Sequence, residues 1–417
     1  MSFRFLHTAD LHLDSPLVSL ALRDPDLAAE VGVASRTVLT RIVDLALNEA
    51  VDAVVIAGDL WDGSQVSAKT PRFLKQELTR LSDAGIRCFI IRGNHDAASK
   101  ITRELVPPPG THIFATKPGT EQFEAGGHTI AVHGLSFCDG SIPESLLPKY
   151  PAPVAGAFNI GIMHTSLNGS AQHDVYAPCS LGALDAHGYD YWALGHIHKR
   201  DVHTGQSTVV MPGIPQGRDI GEAGARSVTL ATLGDDGNLT LEQRGVASLR
   251  FDRVTVDLAG IDDWSAAVSA LARAIETAGS QARTEDHLVL RPRLLGQTPL
   301  AFRIARDQDR LVQEAKAIAE TLPGVWIDKV ENRTTARGPA QTDLPGELVQ
   351  IVATDLANDP ALLAALGDVA QDMLGNLPAD LRDLLGEDEA ALRAQCATLL
   401  AEGTAQLLPR LTIGEAG

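Results

Sequence analysis

Five short apolar runs in the first half of the chain constrain its fold more tightly than any other feature: Phe3–Ala9, Ala53–Ala57, Cys88–Ile91, Phe158–Met163 and Tyr189–Leu194. Runs this short with so few polar residues suit strands buried on both faces. Between them the spacing turns helical. Val38, Ile42 and Leu45 recur within Arg36–Ala50, and Phe73, Leu74, Leu78 and Leu81 within Pro71–Asp83. Strands alternating with amphipathic helices predict a layered α/β domain. A hairpin, Ser227–Leu233 and Leu239–Arg244, closes it around the turn residues Asp235-Asp236-Gly237-Asn238.

Each of the five runs leads into a polar motif: Asp10-Leu11-His12, Gly58-Asp59, Gly93-Asn94-His95-Asp96, Met163-His164 and Gly195-His196-Ile197-His198. Ligand sites in open α/β sheets form beyond the carboxyl ends of strands, so five such ends deliver their side chains to one cleft. Where the chain is still extended, residues i and i+2 point the same way, so Asp10 and His12 reach one cation together. A local bend splits His196 and His198 between adjacent cations. The donors are two carboxylates (Asp10, Asp59), one amide oxygen (Asn94) and four imidazoles (His12, His164, His196, His198). One ion cannot use seven ligands, but two divalent metal ions sharing a bridging carboxylate can. Mixed imidazole and carboxylate ligation suits manganese, iron or zinc better than calcium or magnesium. Two such ions, about 3.5–4 Å apart, activate water and steady the attacking and leaving oxygens of an in-line displacement. His95, beside a ligand but not itself one, is placed to protonate the leaving oxygen or to stabilise transition-state charge. Alone, an Asp-x-His or a Gly-Asp is an ordinary self-capping loop. The reading rests on all five motifs occurring together and in order.

A chain of 417 residues exceeds one ordinary core and predicts two or three domains. We expect a catalytic domain over residues 1–250, a small α+β capping domain over 251–340 and an acidic helical region over 341–417. In the second, Phe251–Leu258, His287–Arg291 and Val325–Val330 read as strands, and Asp263–Thr277 and Leu300–Leu322 as helices. Asn332–Leu344 reads as a linker, followed by leucine-striped helices broken at Pro360, Pro378 and Gly386. No run is apolar enough for long enough to span a bilayer, and the N-terminus lacks the pattern of a signal peptide, so a cytoplasmic protein is expected. The four cysteines, Cys88, Cys138, Cys179 and Cys396, lie far apart and form neither a zinc cage nor a disulfide framework. The net charge of −18 opposes nucleic-acid binding at first sight. Yet residues 343–417 hold thirteen acidic and three basic residues, net −10, so most of the acidity is remote from the motifs. Global charge neither supports nor excludes a DNA substrate.

Read in order, HTADLH, GDLWDG, GNHD, MHTS and GHIH resemble the signature of calcineurin-like metallophosphoesterases. LHTADLHLDSPL and YWALGHIHKR resemble more narrowly the DNA-repair exonuclease branch, the SbcD/YhaO-type relatives of the eukaryotic double-strand-break nuclease. The resemblance covers residues 3–250 well and the rest only in general layout. It implies a layered metallophosphoesterase sandwich in which Asp10, His12, Asp59 and His198 hold one ion. Asp59, Asn94, His164 and His196 would hold the other, with His95 as the catalytic non-ligand. It further implies manganese, cleavage of DNA near ends and an SMC-like ATPase partner. A homodimer is a further option for the chain, and no membrane is expected. Archaeal and eukaryotic relatives carry a histidine three residues after the bridging Asp, where this chain has Asp62. That implies altered exonuclease detail rather than a dead site. Protein phosphatases of the superfamily have Arg and Glu where Gly63 and Asp96 stand here, which argues against phosphoprotein substrates. The rival readings are a phosphodiesterase of small molecules or nucleotides, and a non-catalytic subunit that tethers an ATPase to DNA.

Weaker features complete the reading. Arg218 ends the Gly/Pro loop Met211–Arg218 and is either a substrate-phosphate contact or a solvated turn residue. Arg303, Arg306 and Arg310, with Arg291, Arg293, Arg333 and Arg337, form a face that could track a DNA backbone. Asp307 and Asp309 interrupt it, so a solvated mixed-charge face is the plainer reading. His7, His133 and His173 read as packing or supporting histidines. The acidic C-terminal helices either dock a partner protein or pack on the chain.

Overall fold

The computed structural model describes every residue except 1, 16–24, 62–68, 99–105, 141, 168–175, 282, 336–346, 348–349, 376–388 and 412–417. Asp62, Gly63, His173, Arg337, Pro378 and Gly386, each given a part above, lie outside the described residues. The chain divides into two compact units. The first gathers Met1–Arg253, Gln281–Leu290 and Gly324–Asp328, and the second Val254–Ser280, Arg291–Pro323 and Lys329–Gly417.

Two six-stranded sheets build the first unit. Strands β1 (Phe3–Thr8), β2 (Ala53–Ala57), β3 (Arg87–Ile91) and β4 (Thr111–Ile113) pair in parallel succession. The second sheet uses β5 (Gly119–Ala125), β6 (His128–Gly134), β7 (Phe158–His164), β8 (Tyr191–Gly195), β9 (Asp201–Thr204) and β10 (Thr208–Met211). Its order is β5-β6-β7-β8-β10-β9. The predicted hairpin, β11 (Ser227–Leu233) and β12 (Leu239–Gly245), returns to the first sheet, where β11 runs antiparallel to β1.

Strand alternation then assigns the faces. Phe3, Phe5, Ala53 and Val55 meet Ile130, Val132, Ile160, Ile162 and Tyr191 in the core between the two sheets. The alternate residues Leu6, Val54, Ile56 and Ile90 face the helices α1 (Pro25–Asn48) and α2 (Lys69–Asp83), against Val38, Ile42, Leu74 and Leu78. After the short helix α3 (Asn94–Ala98), α4 (Leu181–His187) sets Leu184 among Met163, Trp192 and Leu194 beyond the second sheet. The result is a helix–sheet–sheet–helix sandwich. Helix α1 begins well before the expected Arg36. Leu27 and Val31 in its first turns are buried against Ile220, Leu249 and Phe251, partners too distant in sequence for local periodicity to reveal.

The remaining sheet contains β13 (Leu249–Asp257), β14 (His287–Gln297), β15 (Val325–Ile327) and β16 (Glu331–Thr335). With them come α5 (Trp264–Ser280), α6 (Ala301–Arg306) and α7 (Gln308–Glu320). Two expectations need correction. The single helix over Leu300–Leu322 is two, because Asp307 leaves helical geometry (φ −102°, ψ 30°) while Arg306 holds its side chain. The linker begins late, because Glu331–Thr335 pairs in parallel with Arg293–Gln297. Near the C-terminus, α8 (Pro360–Gly375) packs Leu363 and Leu366 with Leu392 and Cys396 of α9 (Glu389–Leu411). The helical run is broken at Pro360 as expected: turns over residues 351–358 end at extended Asp359, and Pro360 opens the next helix, where the first position needs no N–H partner. No described helix is long and apolar enough to cross a membrane.

Candidate metal centre

The loops that leave β1, β2, β3, β7 and β8 all turn into one place. Asp10, His12, Asp59 and His196 have φ of 55°, 40°, 53° and 101°. Left-handed backbone at residues with a Cβ is uncommon and clusters at functional sites, where the surrounding structure enforces it. Here the enforcement is visible. Asp10 N–H donates to Gly58 O at 3.0 Å and His12 N–H to Asp59 O at 3.1 Å, locking the first two loops together. This also corrects the expected i, i+2 alternation. Asp10 and His12 do converge, but through a coiled loop rather than an extended strand. Asp96 ties the third loop to the second, its carboxylate accepting from Leu60 N (2.9 Å), Trp61 N (3.2 Å) and Gly93 N (2.9 Å).

Three groups of potential donor atoms lie within 4.8 Å of one another: Asp10, His12 and His198; His12, Asp59 and His95; and Asp10, Asp59 and His164. His12 Nε2 stands 3.3 Å from His198 Nε2 and 3.9 Å from Asp59 Oδ2. On the other side, His164 Nε2 lies 3.3 Å from Asp59 Oδ2 and 2.9 Å from Asn94 Oδ1. Asp59 thus faces both sides, as a bridging carboxylate must. His196 is set apart from His198. Its ring meets that of His164 edge-on at 5.2 Å, and its N–H contacts both carboxylate oxygens of Asp10 at 3.1 Å. The His95 ring stands edge-on to His12 at 4.8 Å, and the His95 backbone N–H donates to Asp59 Oδ1 at 3.0 Å.

Asp10, His12, Asp59, Asn94 and His164 are all buried. Burial pushes the Asp10 carboxyl above its usual range and the His12 imidazole well below its own. Burial opposes charge on Asp59 and His164 too, yet each holds the other ionised. The Asp59 carboxyl lies well below the usual range, and the His164 imidazole is pushed up to about 9. Asp96 is pushed up to about 7 by burial and by the charge of Asp59. Two imidazole nitrogens facing each other at 3.3 Å, among buried carboxylates and beside a buried His12 Nδ1 with no described partner, fit a site made for cations. The mixed oxygen and nitrogen donors match first-row divalent metals.

Residues 3–200 match the family described as calcineurin-like phosphoesterase, and residues 251–335 the one described as metallophosphoesterase YhaO, middle domain. Residues 3–200 are a calcineurin-like phosphoesterase domain. The chain has relatives among curated proteins. The Bacillus subtilis protein named uncharacterized metallophosphoesterase YhaO is 33% identical over 257 residues, 61% of this chain and 63% of that one. The DNA double-strand break repair protein Mre11 of Sulfurisphaera tokodaii is 27% identical over 205 residues, 48% of this chain and 50% of that one. The SbcD component of the nuclease SbcCD of Bacillus subtilis is 28% identical over 268 residues, 54% of this chain and 65% of that one. These matches span less than two thirds of each relative's length.

Two features of the site escaped sequence reading. Glu222, at the end of the 3₁₀ turn Ile220–Glu222, places Oε1 2.6 Å from His198 Nδ1. Arg218 Nη2 lies 3.2 Å from His198 Nδ1, and its guanidinium is engaged by Glu222, with Nη2 3.0 Å from Oε1. Burial opposes the Glu222 charge, but hydrogen bonds from His198 and Arg218 hold its carboxyl well below the usual range. Of the other histidines, His7 and His133 are buried packing residues. His133 is bonded to Thr120 and Asn159. The basic face is largely neutralised. Arg291 and Arg293 pair with Glu331, Arg303 and Arg306 with Asp307, and Arg310 with Glu314.

Proposed function

We propose that this protein is a dinuclear, manganese-dependent phosphodiesterase that cleaves DNA in concert with an SMC-like ATPase. In this reading residues 251–340 shape DNA access and residues 341–417 serve partner docking. One observation carries it: side chains from five strand ends meet around Asp59, which faces donors on both sides. The names of the Mre11 and SbcCD relatives favour a nuclease over other phosphoesterases.

Asp10, His12, Asp59 and His198 would hold one cation, and Asp59, Asn94, His164 and His196 the other. Cations held there supply water activation and Lewis-acid stabilisation of the attacking and leaving oxygens. The chain's own contribution is preorganisation. The left-handed loops fix the donors before substrate arrives, so no reorganisation is needed during reaction. His95 has its backbone pinned on Asp59 and its ring only partly buried, which leaves the imidazole able to give a proton to the leaving oxygen. Arg218 keeps 29% of its side chain exposed, so a substrate phosphate can meet the guanidinium while Glu222 holds it.

The test is an assay panel with Mn²⁺ on duplex DNA, single-stranded DNA, a bis-aryl phosphodiester and a phosphomonoester, with His95→Ala in parallel. The expected outcome is DNA cleavage that falls by about 10²–10⁴-fold in the variant, at unchanged metal content. Turnover of the small diester without DNA cleavage would replace the proposal with a small-molecule phosphodiesterase. Inactivity on every substrate, with and without a partner ATPase, would leave a non-catalytic assembly subunit.

A further inference from the structure

Glu222 lies 24 residues beyond His198 and in none of the motifs, yet it makes one of the site's shortest polar contacts. We propose that Glu222 is a positioning residue: it fixes the His198 ring so that Nε2 faces the cation shared with Asp10 and His12, and so sets how tightly that cation is held. This rests on the dinuclear reading above and adds a residue to it.

The geometry assigns both nitrogens of one ring. Nδ1 is 2.6 Å from Glu222 Oε1, and Nε2 is 3.3 Å from His12 Nε2. A carboxylate can only accept, so Nδ1 carries the proton and donates it, and Nε2 keeps its lone pair for the cation. Arg218 Nη2 also lies 3.2 Å from Nδ1, but its proton has Glu222 Oε1 as acceptor at 3.0 Å.

Glu222 is itself built into place. Its Oε2 accepts from the Arg218 backbone N at 2.7 Å, which aims the carboxylate independently of His198. Asp219 caps the turn, accepting from Gly221 N at 2.6 Å. Arg226 then ties the partners together, Nε donating to Glu222 O and Nη1 to His198 O, each at 3.0 Å. The acceptor and the ring it orients are therefore joined through backbone as well as side chain. Glu222 and His198 keep only 14% and 20% of their side chains exposed, which limits competition from water.

His164 gives the comparison within the same site. Its Nδ1 donates to a neutral acceptor, Ala57 O, at 2.9 Å. An imidazole that donates to a carboxylate is the more electron-rich ligand, and removing such a partner typically weakens metal affinity about 10–100-fold. The ligands are thus unequal by construction, His198 being reinforced by a charged acceptor where His164 has a neutral one.

The experiment is equilibrium Mn²⁺ binding to the full chain, followed through the paramagnetic resonance of free Mn²⁺. Glu222→Ala is expected to weaken one of two sites by about 10–100-fold and to leave the other within two-fold. In a His198→Ala background the same substitution is expected to add less than two-fold, because its effect runs through that ring. Equal weakening of both sites, no weakening, or full additivity with His198→Ala would overturn the proposal. Should Glu222→Ala fail to fold, the wild-type chain loaded with Zn²⁺ and labelled at histidine nitrogens gives the answer. A proton on His198 Nδ1 is expected, and an unprotonated Nδ1 overturns the inference. A wild type that binds no pair of cations would sink the dinuclear reading itself, and this inference with it. A wild type that binds two but cleaves no DNA would touch only the substrate assignment.

Discussion

At Gly93 the demand is for empty space. A Cβ there would stand 2.2 Å from Asp59 Oδ1 and 2.9 Å from Asp59 N, closer than real atoms approach. Gly93→Ala must therefore displace the carboxylate that faces both sides of the site. Displacements near 1 Å at a reacting centre cost about 10²-fold in rate, so the proposed phosphodiesterase activity should drop by at least that factor with an unchanged circular dichroism spectrum. Gly32→Ala is the control. It lies inside a helix with nothing within 4 Å, so activity should hold and stability rise by about 0.4–1 kcal/mol. Retained activity in Gly93→Ala would mean that Asp59 does not occupy the position described. At this scale the convergence of the seven candidate donors was legible, because each lies within a few residues of the end of an apolar run that is itself predictable. Glu222 was not. Its neighbours Ile220 and Gly221 read as any loop turn, and its partner is brought to it by tertiary folding.

Single strands carry the next layer. β1 belongs to one sheet, yet His7 on it reaches β8 of the other, bonding Tyr191 OH at 3.0 Å and Leu194 O at 3.1 Å. Nε2–H donates to the carbonyl, so Nδ1 accepts from the phenol and the ring is neutral. Burial lowers its pKa to about 3, against 6.5 for the free side chain. The unfolded chain therefore binds this proton more readily than the folded one between those values. The stability His7 contributes is complete above pH 6.5 and drains away as pH falls toward 3. The gap in urea midpoint between wild type and His7→Gln should be widest near neutrality and close toward pH 3. A gap independent of pH would contradict a buried neutral imidazole. Strands with two buried faces, such as β2 and β3, were readable as continuous apolar runs. Strands β5 and β9 were not, since Glu121, Gln122 and Glu124 on one and Asp201 and His203 on the other are polar residues on outer strands, whose pairing is set by the sheet beside them.

For the molecule as a whole, the donors divide by sheet. Asp10, Asp59 and Asn94 follow β1, β2 and β3 of the first, whereas His164, His196 and His198 belong to the ends of β7 and β8 of the second. On the proposed reading, cation binding is coupled to the stability of the first compact unit. With Mn²⁺ at 100 times its dissociation constant the gain is about 2.7 kcal/mol. At about 2–4 °C per kcal/mol for a domain of this size, its melting transition should rise by roughly 5–10 °C. Calorimetry with and without chelator measures this, and a transition indifferent to metal would count against the dinuclear centre. The same division has a consequence for the life of the protein in a cell. Among the described residues the two sheets of the sandwich share no backbone ladder, so the ions would rivet one to the other at that edge. Starvation for the metal would then cost the chain its chemistry and its resistance to proteolysis at one stroke.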